Sequence, residues 1–473
     1  MAVILQIQND YSWLLTDNDQ LKHELWLGLR KREKGYYHST LYKRGIWDGY
    51  VNFFDKAGGR FLTGLLPEVL KALKNKNIKA EIVDRRSFFN WKYKKIDSKF
   101  LLEWAPEDEK HELRDYQVDA INSVIRNYRG LVKYPTGAGK TNVMIGILKS
   151  LPKNMPTLFL TKGSSLVEQN YKDMVRWGVE NVGRVYGKHR SPNLITCANT
   201  NKHTLEKLKP LLPKFKALIV DEVHDCMSTV PKKAYQKMSN AVVRVGVSAT
   251  PFKHAGSDIT QKFWTKGFFG PVLAAGDKAV TTKQLQDRNI LSKSESHFYL
   301  IDQPKIEHEP YLDAVTIGIA ENLYFLDIVK RLALSLNGRN LILVDRITQG
   351  DILHEMLPGS YWIKGVTQLD ERGEIFAKLK YDDTATVIVM QQIVSAGINV
   401  FIHNLINAAG GKAEHSIIQR MGRGLRTAKD KEGLKYHDFI FDINEYLYKH
   451  SLKRMEIIKK EKHSVIVHKD FSF

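Results

Sequence analysis

A glycine-rich segment ending in Lys140 and Thr141 is the most chemically specific feature of this 473-residue sequence. It follows a strand-like run and opens a helix-like one, and in that context small residues let backbone N–H groups wrap phosphate groups. Lys140 would reach the β- and γ-phosphates of a nucleotide, and the Thr141 hydroxyl would bind Mg²⁺. The strict pattern begins with Gly, where Tyr134 stands here, so a plain turn is the alternative. The candidate nucleotide-binding residues of this loop are Pro135, Thr136, Gly137, Ala138, Gly139, Lys140 and Thr141.

Two carboxylates follow a buried apolar run further along the chain. Asp221 and Glu222 come directly after Ala217–Val220, and open α/β sheets bind ligands at the carboxyl ends of their parallel strands. Asp221 can hold Mg²⁺ through its water shell, while Glu222 can accept a proton from an attacking water. A strand followed by Asp-Glu is common by chance, so its position downstream of the phosphate loop is what makes the pair a candidate catalytic site.

Two further sets of polar residues extend the candidate nucleotide site. Arg114 and Gln117 are candidate nucleotide-binding residues, and the Gln117 amide carries a donor and an acceptor that match the Hoogsteen edge of adenine. An ordinary amphipathic helix start is the alternative there. Arg420, Arg423 and Arg426 recur every third residue and would share one helix face. We expect Arg423 and Arg426 to act as arginine fingers on the γ-phosphate, with a solvated basic face as the alternative.

The elements that must position these residues form two series. From 113 to 295, and again from 321 to 446, short apolar runs alternate with amphipathic stretches. That alternation predicts β-α units with parallel sheets, and so two successive α/β lobes. Residues 1–105 hold five of the eight tryptophans and predict a small accessory domain. A polar linker follows that domain, and 447–473 form a C-terminal extension.

Composition excludes several classes of protein. Apolar residues make up 43% of the chain, as in folded globular proteins, and the apolar runs are too short to span a bilayer. We therefore expect no membrane partner. The start of the chain has no basic region before its short apolar run, so no secretory signal is expected. Two cysteines, Cys197 and Cys226, predict neither disulfides nor structural zinc, and fit a reducing cytoplasm. A net charge of +20, spread along the chain, favours a polyanionic partner.

The order and spacing of these residues resemble those of superfamily 2 helicases. The segments that resemble helicase motifs Q, I, II, III, V and VI are Leu113–Gln117, Pro135–Thr141, Asp221–His224, Ser248–Pro251, Ser395–Asn399 and Gln419–Arg426. The resemblance implies two tandem RecA-like lobes that use ATP and Mg²⁺. It also implies a nucleotide contact at Gly397, and it gives Ser248 and Thr250 the role of coupling nucleotide state to lobe closure. We expect His224 and Gln419 to share that role. The alternatives are a polar turn at Ser248 and Thr250 of motif III and an interior histidine at His224 of motif II.

The same resemblance implies nucleic-acid contacts at strand ends. The segment 159–163 resembles motif Ia, which makes Thr161 and Lys162 candidates, and Thr196 begins the next contacting segment. Hydroxyl and ammonium groups are suitable donors to phosphates. A simple strand end is the alternative reading of each segment.

Residues 44–65 resemble the accessory domain of phage UvsW-like branch-migrating helicases. Arg44 and Trp47 are the DNA-contact candidates of this segment, because aromatic and basic side chains together can stack bases and hold phosphates. A core position is the alternative for Trp47. The resemblance implies an ATP-dependent DNA helicase or translocase acting on branched DNA in replication, recombination or repair. Three alternatives stay open. One is the translocase subunit of a restriction-type system, for which about 45 residues after motif VI would leave no room for a nuclease module in this chain. The others are an RNA helicase and a basic nucleic-acid-binding protein with a degenerate ATP site.

Overall fold

The computed structural model describes residues 2–86, 94–252, 258–273, 280–306, 309–394, 402–411, 433–460 and 463–473. The chain divides into two units. The first contains Met1–Tyr134 and Gly139–Ala279, and the second contains Pro135–Ala138 and Val280–Phe473.

The first unit begins with a small mixed sheet of order β5-β2-β1-β6. The strands β1 and β2 alternate buried and half-buried residues, which is the pattern of a sheet with one face covered. The covering helices α1 and α3 bury Leu21, Leu25, Val69 and Leu73. A separate ribbon pairs β3 with β4 in antiparallel register. The elements are β1 (Ile4–Ile7), β2 (Tyr11–Leu15), α1 (Asp19–Gly28), β3 (Arg30–Arg32), α2 (Thr40–Lys43), β4 (Tyr50–Asn52), β5 (Arg60–Leu62), α3 (Leu66–Asn75) and β6 (Glu81–Asp84).

A large eight-stranded sheet completes the first unit, in the order β10-β9-β11-β8-β12-β13-β7-β14. All neighbouring strands run parallel except β9 and β10. Its central strands are buried along their whole length, because helices cover both faces of such sheets. The strands are β7 (Arg129–Lys133), β8 (Thr157–Thr161), β9 (Val182–Tyr186), β10 (His189–Ser191), β11 (Ile195–Asn199), β12 (Ala217–Asp221), β13 (Val243–Ser248) and β14 (Val272–Leu273). The helices are α4 (Asp115–Asn127), α5 (Lys140–Ser150), α6 (Ser164–Arg176), α7 (Lys202–Leu208), α8 (Thr229–Gln236) and α9 (Ile259–Phe269).

The small N-terminal sheet packs directly on this lobe through α9. The rings of Phe53 and Trp264 meet at 5.0 Å between centroids, and Lys266 Nζ lies 2.6 Å from Glu68 Oε1. Gly64 approaches the Lys266 carbonyl so closely that a Cβ there would lie 2.0 Å from the oxygen. The accessory region is therefore joined to the first lobe by a shared apolar interface.

The second unit contains a seven-stranded sheet in which all neighbouring strands are parallel, in the order β17-β18-β16-β19-β20-β15-β21. Its core gathers around α12, which buries Phe325, Leu326, Val329 and Leu332. The strands are β15 (Lys293–Ile301), β16 (Asn340–Val344), β17 (Tyr361–Ile363), β18 (Thr386–Met390), β19 (Asn404–Asn407), β20 (Gly433–Phe441) and β21 (Ser464–His468). The helices are α10 (Thr282–Asp287), α11 (Tyr311–Val315), α12 (Leu323–Ser335), α13 (Ile347–Met356), α14 (Leu369–Tyr381), α15 (Gln391–Val394) and α16 (Glu445–Lys460).

The predicted fold class, two tandem parallel-sheet lobes with a small α+β accessory region, is confirmed. Two segments lie elsewhere than the sequence boundaries suggest. The predicted end of the first lobe at 295 falls inside β15, which pairs with β20 of the second sheet, and the predicted extension 447–473 supplies most of α16 and the strand β21. Local patterning does not reveal these pairings because the partner strands are distant in sequence. Among the described helices, none has the length and apolar character needed to cross a membrane.

Candidate nucleotide site and nucleic-acid surfaces

The phosphate loop lies between β7 and α5, as its residue types predict. Gly137 and Gly139 have φ angles of 84° and 79°, which favour glycine, and α5 begins at Lys140 directly after Gly139. The first N–H groups of α5 therefore have no helical partners and can bind an anion. Thr141 lies in the first turn of the same helix.

Tyr134, the departure from the strict loop pattern, has a structural explanation. Its buried ring packs edge-on against Tyr116 at 5.3 Å, and its hydroxyl donates to the Tyr116 carbonyl. Burial raises the pKa of the Tyr134 phenol, so the hydroxyl stays protonated as a donor. The large residue thus ties the start of the loop to α4.

Gln117 braces the other end of the loop. Its Oε1 accepts from the Arg114 backbone N–H at 2.9 Å, and its Nε2 donates to the Gly139 carbonyl at 3.5 Å. A Cβ at position 139 would lie 2.2 Å from that amide nitrogen. In the structure the Gln117 amide therefore contacts the protein, and the predicted reading of adenine stays a prediction.

Asp221 lies at the carboxyl end of β12, where β8 and β13 are its neighbours. It is buried, and it accepts from the Glu222 backbone N–H at 2.9 Å and from Asn170 Nδ2 at 3.5 Å. Burial and then the neighbouring Glu222 raise the pKa of Asp221 to about 6, while Lys140 opposes the rise. Sequence reasoning missed Asn170. Its signal is its place beside Val167 and Met174 on the buried face of α6, where a polar residue needs a partner.

Lys140 and Glu222 form an ion pair across the edge of the sheet. Lys140 Nζ lies 3.3 Å from Glu222 Oε1, and both side chains are largely shielded from solvent. Glu222 has a φ of 45°, a left-handed conformation that costs a non-glycine residue about 1–2 kcal/mol. Backbone strain of this kind clusters at functional sites.

Glu222, His224, Ser248 and Thr250 form one hydrogen-bonded cluster. The Ser248 hydroxyl donates to Glu222 Oε2 at 3.2 Å and accepts from the Thr250 backbone N–H at 3.0 Å. It also lies 2.8 Å from His224 Nδ1. Because the hydroxyl has a single proton, which Glu222 receives, His224 Nδ1 must carry a proton and donate to Ser248. Motifs II and III are therefore joined directly through Ser248.

The nucleic-acid candidates of the first lobe occupy different environments. Lys162 is exposed after β8, with its ammonium group 3.4 Å from Asp225 Oδ1. Thr161 is buried at the strand end. Thr196 is also buried, and its hydroxyl donates to the Asn193 carbonyl at 2.7 Å. The structure thus brings Lys162 to the surface at this edge but not the two threonines, since both face the packed interior.

Arg44 and Trp47 lie in the connection between β3 and β4. Arg44 is exposed just after α2, and Trp47 is half-buried with its Nε1 donating to the Tyr50 carbonyl at 2.7 Å. Gly397, Gln419, Arg423 and Arg426 lie outside the described residues. Their predicted roles therefore stay predictions.

Two parallel-sheet lobes in tandem, with a phosphate loop and an Asp-Glu pair at the carboxyl edge of the first sheet, define a helicase-type nucleotide hydrolase. The family model described as "Type III restriction enzyme, res subunit" matches residues 110–253. These are the residues that hold the loop and the Asp-Glu pair.

Individual relatives agree with this class. The chain is 25% identical over 367 residues to the DNA 3'-5' translocase XPB2 of Sulfurisphaera tokodaii, covering 69% of this chain and 81% of that one. It is 20% identical to the ATP-dependent DNA helicase uvsW of Enterobacteria phage T4, covering 97% of this chain and 98% of that one. Among solved structures, a fragment of an HsdR-type subunit of a type I restriction enzyme from Vibrio vulnificus YJ016 matches with a TM-score of 0.56. That match has 16% identity and covers 85% of this chain and 74% of the other, and it supports the fold.

These findings confirm the predicted resemblance to superfamily 2 helicases of the UvsW-like type. They also confirm the predicted class of enzyme, an ATP hydrolase of the helicase kind.

Proposed function

We propose that this chain is an ATP-dependent DNA helicase that translocates on branched DNA, with forks, four-way junctions and R-loops as substrates in replication, recombination or repair. The observation that carries the proposal is the Lys140–Glu222 ion pair beside buried Asp221, at the edge of a parallel sheet and next to a phosphate loop. The XPB2 and uvsW relatives are named as a DNA translocase and a DNA helicase, which supports the choice of DNA. The two free cysteines are both buried and fit activity in a cytoplasm, that of the host if the chain is phage-encoded.

The residues at the loop fit a magnesium–nucleotide complex. The Asp221 carboxylate and the Thr141 hydroxyl are oxygen ligands of the kind that Mg²⁺ prefers, and the raised pKa of Asp221 reflects a buried negative charge that a cation would stabilise. When bound, Mg²⁺-ATP supplies the phosphoanhydride bond that is broken. The loop N–H groups and Lys140 would bind the phosphates, and Thr141 and Asp221 would hold the metal. With Lys140 engaged by the phosphates, Glu222 would be left to orient water and accept its proton.

The hydrogen bonds around Ser248 connect this chemistry to motif III. Glu222 shares the Ser248 hydroxyl with His224 and Thr250, so a change in the charge facing Glu222 alters the partner of a motif III residue. We assign this cluster the coupling of hydrolysis to movement. Arg423 and Arg426 are the arginines that the proposal assigns to the γ-phosphate.

The test of the proposal is ATP hydrolysis measured with and without DNA. Lys140→Ala and Glu222→Gln are each expected to lower DNA-stimulated hydrolysis by about 10³-fold or more, because each removes a group that contacts the reacting phosphate or water. Binding to DNA should stay within about twofold. Lys153→Ala and Glu206→Gln, at exposed positions of the same lobe, are the matched controls. Retained turnover in both site variants would contradict the assignment.

Substrate choice is tested separately, on matched forked, four-way and flush DNA and on forked RNA. The proposal expects ATP-dependent migration of four-way junctions and little activity on RNA. The observation behind the restriction-type alternative is the family model that matches residues 110–253. A translocase of that kind would displace a triplex-forming strand from DNA without separating the duplex. Separation of fork arms would therefore exclude it.

Backbone contacts with DNA should give a steep dependence on salt. With a net charge of +20 spread along the chain, affinity is expected to fall about tenfold or more between 50 and 200 mM salt, with little dependence on base sequence. The measurement is fluorescence anisotropy of labelled forks of two unrelated sequences. A flat salt response would mean that most of the excess charge lies on solvated surface.

A further inference from the structure

The connection between β3 and β4 forms a closed projection of the first unit, which we call the tip loop and define as residues 33–49. The Glu33 backbone N–H donates to the Gly49 carbonyl at 2.9 Å and closes its base. Within 33–49, all of which the structure describes, only Gly49 is buried. Ten of the seventeen residues of the tip loop are exposed, while its two ends are fixed by this hydrogen bond.

A stack of arginines and tyrosines stiffens the base of the tip loop. The Arg30 guanidinium lies 4.0 Å from the centroid of the Tyr50 ring, and that of Arg32 lies 4.4 Å from the centroid of Tyr36. The Tyr36 ring meets Tyr42 edge-on at 4.7 Å. A Cβ at position 49 would lie 2.8 Å from the Tyr36 ring, so the ring rests on the glycine backbone. The tip loop is therefore a braced projection rather than a loose connection.

Three large apolar side chains are exposed on this small projection. Tyr37 is 56% exposed, Leu41 52% and Ile46 70%, and the Ile46 backbone N–H donates to the Leu41 carbonyl at 2.9 Å. Single exposed apolar residues are normal on protein surfaces, but three within ten residues of a braced loop point to a partner.

The charge around these side chains identifies the kind of partner. Residues 30–49 contain six Lys and Arg against two Asp and Glu. Arg32, Lys34, Lys43 and Arg44 are all exposed. Exposed cations and exposed apolar side chains on the same small loop fit a polyanion whose interior is apolar. The end of a base-pair stack bordered by phosphates is such a polyanion.

We propose that the tip loop is a wedge that opens duplex DNA at a branch point. Leu41 and Ile46 contact the outermost base pair and unstack it, Tyr37 stacks on a freed base, and the exposed cations bind the two diverging backbones. This inference rests on the proposed helicase function, and it assigns strand separation to the accessory region and hydrolysis to the lobe. Arg44 binds backbone in this arrangement, whereas Trp47 supports the loop through its bond to Tyr50.

The test uses the full chain and a fork whose first base pair carries 2-aminopurine, whose fluorescence rises when the base is unstacked. Without nucleotide, the wild-type protein is expected to raise this fluorescence on binding, and Leu41→Ser with Ile46→Ser is expected to abolish the rise. Fork unwinding should fall about tenfold or more in this double variant, while hydrolysis stimulated by single-stranded DNA stays within about twofold. Leu323→Ser with Leu334→Ser, at positions 61% and 68% exposed on α12, is the matched control and should change neither.

Each outcome decides between named possibilities. Normal unwinding and a normal 2-aminopurine signal in the Leu41/Ile46 variant would overturn the wedge. So would an equal loss of hydrolysis and unwinding, since that would indicate general damage. Lys43→Ala with Arg44→Ala should weaken fork binding and reduce its salt dependence, and unchanged binding would contradict the role of the exposed cations. Failure of the helicase function itself would appear as wild-type protein without DNA-stimulated hydrolysis, and the nucleotide-free fluorescence measurement does not depend on it.

Discussion

Two buried aspartates in the parallel sheets, Asp438 and Asp221, differ in the hydrogen-bond donors and charges that surround them. Asp438, in β20 of the second unit, accepts from both Nε and Nη2 of Arg454, from the Tyr436 hydroxyl at 2.6 Å and from Asn407 Nδ2 at 3.1 Å. Asp221, at the end of β12 in the first unit, faces Glu222 and receives a long bond of 3.5 Å from Asn170. The first carboxylate is neutralised within the fold, and the second is neutralised incompletely.

The difference shows what separates a structural charge from a charge that awaits a ligand. Although burial opposes the Arg454 charge, Asp438 raises the pKa of Arg454 and so keeps the guanidinium charged. Burial and Glu222 instead raise the pKa of Asp221, so its ionised form is costly until a cation arrives. A buried carboxylate with a raised pKa at a strand end therefore marks a site, whereas an equally buried one with a bidentate partner marks the fold.

The largest expected effect comes from removing each carboxylate in turn. Asp438→Asn should lower the free energy of unfolding of the second unit by about 3–5 kcal/mol, because it leaves the Arg454 charge buried without its counter-ion. Asp221→Asn should leave stability unchanged or slightly higher while abolishing ATP hydrolysis. The free energy of unfolding of each unit is measured by fluorine NMR of protein labelled with 5-fluorotryptophan, in a urea titration. Trp362 reports on the second unit, since the other seven tryptophans lie within the first.

A double variant serves as the control for that measurement. Asp438→Asn with Arg454→Met removes both charges and should recover part of the loss, because no buried ion is left unpaired. Equal losses of stability in Asp221→Asn and Asp438→Asn would break the comparison, since both carboxylates would then be structural.

The backbone of the phosphate loop provides the next test. Gly139→Ala forces a side chain into a φ of 79° and against the Gln117 amide, so we expect a loss of about 2 kcal/mol in stability of the first unit. Nucleotide affinity should fall about tenfold or more, as the loop is displaced. Gly187→Ala has a φ of 50° and no atom within 4 Å of the added Cβ, so it carries only the backbone cost. Thermal unfolding and a fluorescent nucleotide measure the two effects, and equal nucleotide affinity in both variants would remove the special role of the loop.

Much of the fold follows from local patterning, for reasons visible in particular strands. The predicted apolar run Ala217–Val220 coincides with β12 to within one residue. This central strand is buried on both faces, so its sequence is a continuous apolar segment. β21 was not predicted because it is half-exposed at the sheet edge. β15 was not predicted either, because its partner strands lie more than 130 residues away and it falls at the end of the first predicted series.

The candidate site likewise has features that local sequence predicts and contacts that it does not. Local spacing predicted the positions of Lys140, Asp221 and Glu222, because a loop and a strand end are local features. Sequence could not predict that Asn170 reaches Asp221 or that Ser248 joins His224 to Glu222. Those contacts depend on the sheet order, which places β12 between β8 and β13. The same order explains why Thr196, near the start of β11, faces the interior instead of the predicted DNA surface.

A smaller effect concerns histidines buried in the second unit. His437 stacks on His297 at 5.2 Å and lies 3.0 Å from the Tyr299 hydroxyl, with Lys435 and His468 nearby. Burial, with His297 and Lys435, lowers the pKa of His437 to about 3, and burial lowers that of His463 to about 4. Because the unfolded chain binds these protons near pH 6.5, stability should be full above that pH and fall as the pH drops toward 4 and 3.

His437→Gln is expected to reduce the loss of stability between pH 7 and pH 5 by about 1–2 kcal/mol, since a neutral amide replaces a group that the unfolded state protonates. The Trp362 fluorine signal in urea at the two pH values is the measurement. The exposed His38→Gln, in the first unit, is the control and should leave the pH dependence unchanged. An identical pH dependence in His437→Gln would show that protonation of this stack does not limit the second unit.

The smallest effect tests whether hydrogen bonds at the site do more than stabilise it. Ser248→Ala removes the hydroxyl that joins Glu222, His224 and the Thr250 N–H, so hydrolysis should fall about fivefold while base pairs opened per ATP fall further. Ser451→Ala is the matched control, because Ser451 is also buried and bonded to the Phe441 N–H and the Leu447 carbonyl. It should cost about 1 kcal/mol of stability and leave hydrolysis and coupling unchanged. If both variants lose stability while hydrolysis and coupling stay unchanged, the cluster at motif III is structural, like the Asp438–Arg454 pair. If only Ser248→Ala lowers the number of base pairs opened per ATP, the hydrogen bonds of Ser248 couple nucleotide state to movement. That coupling would then lie at the edge of the first sheet, where Asp221 is incompletely neutralised.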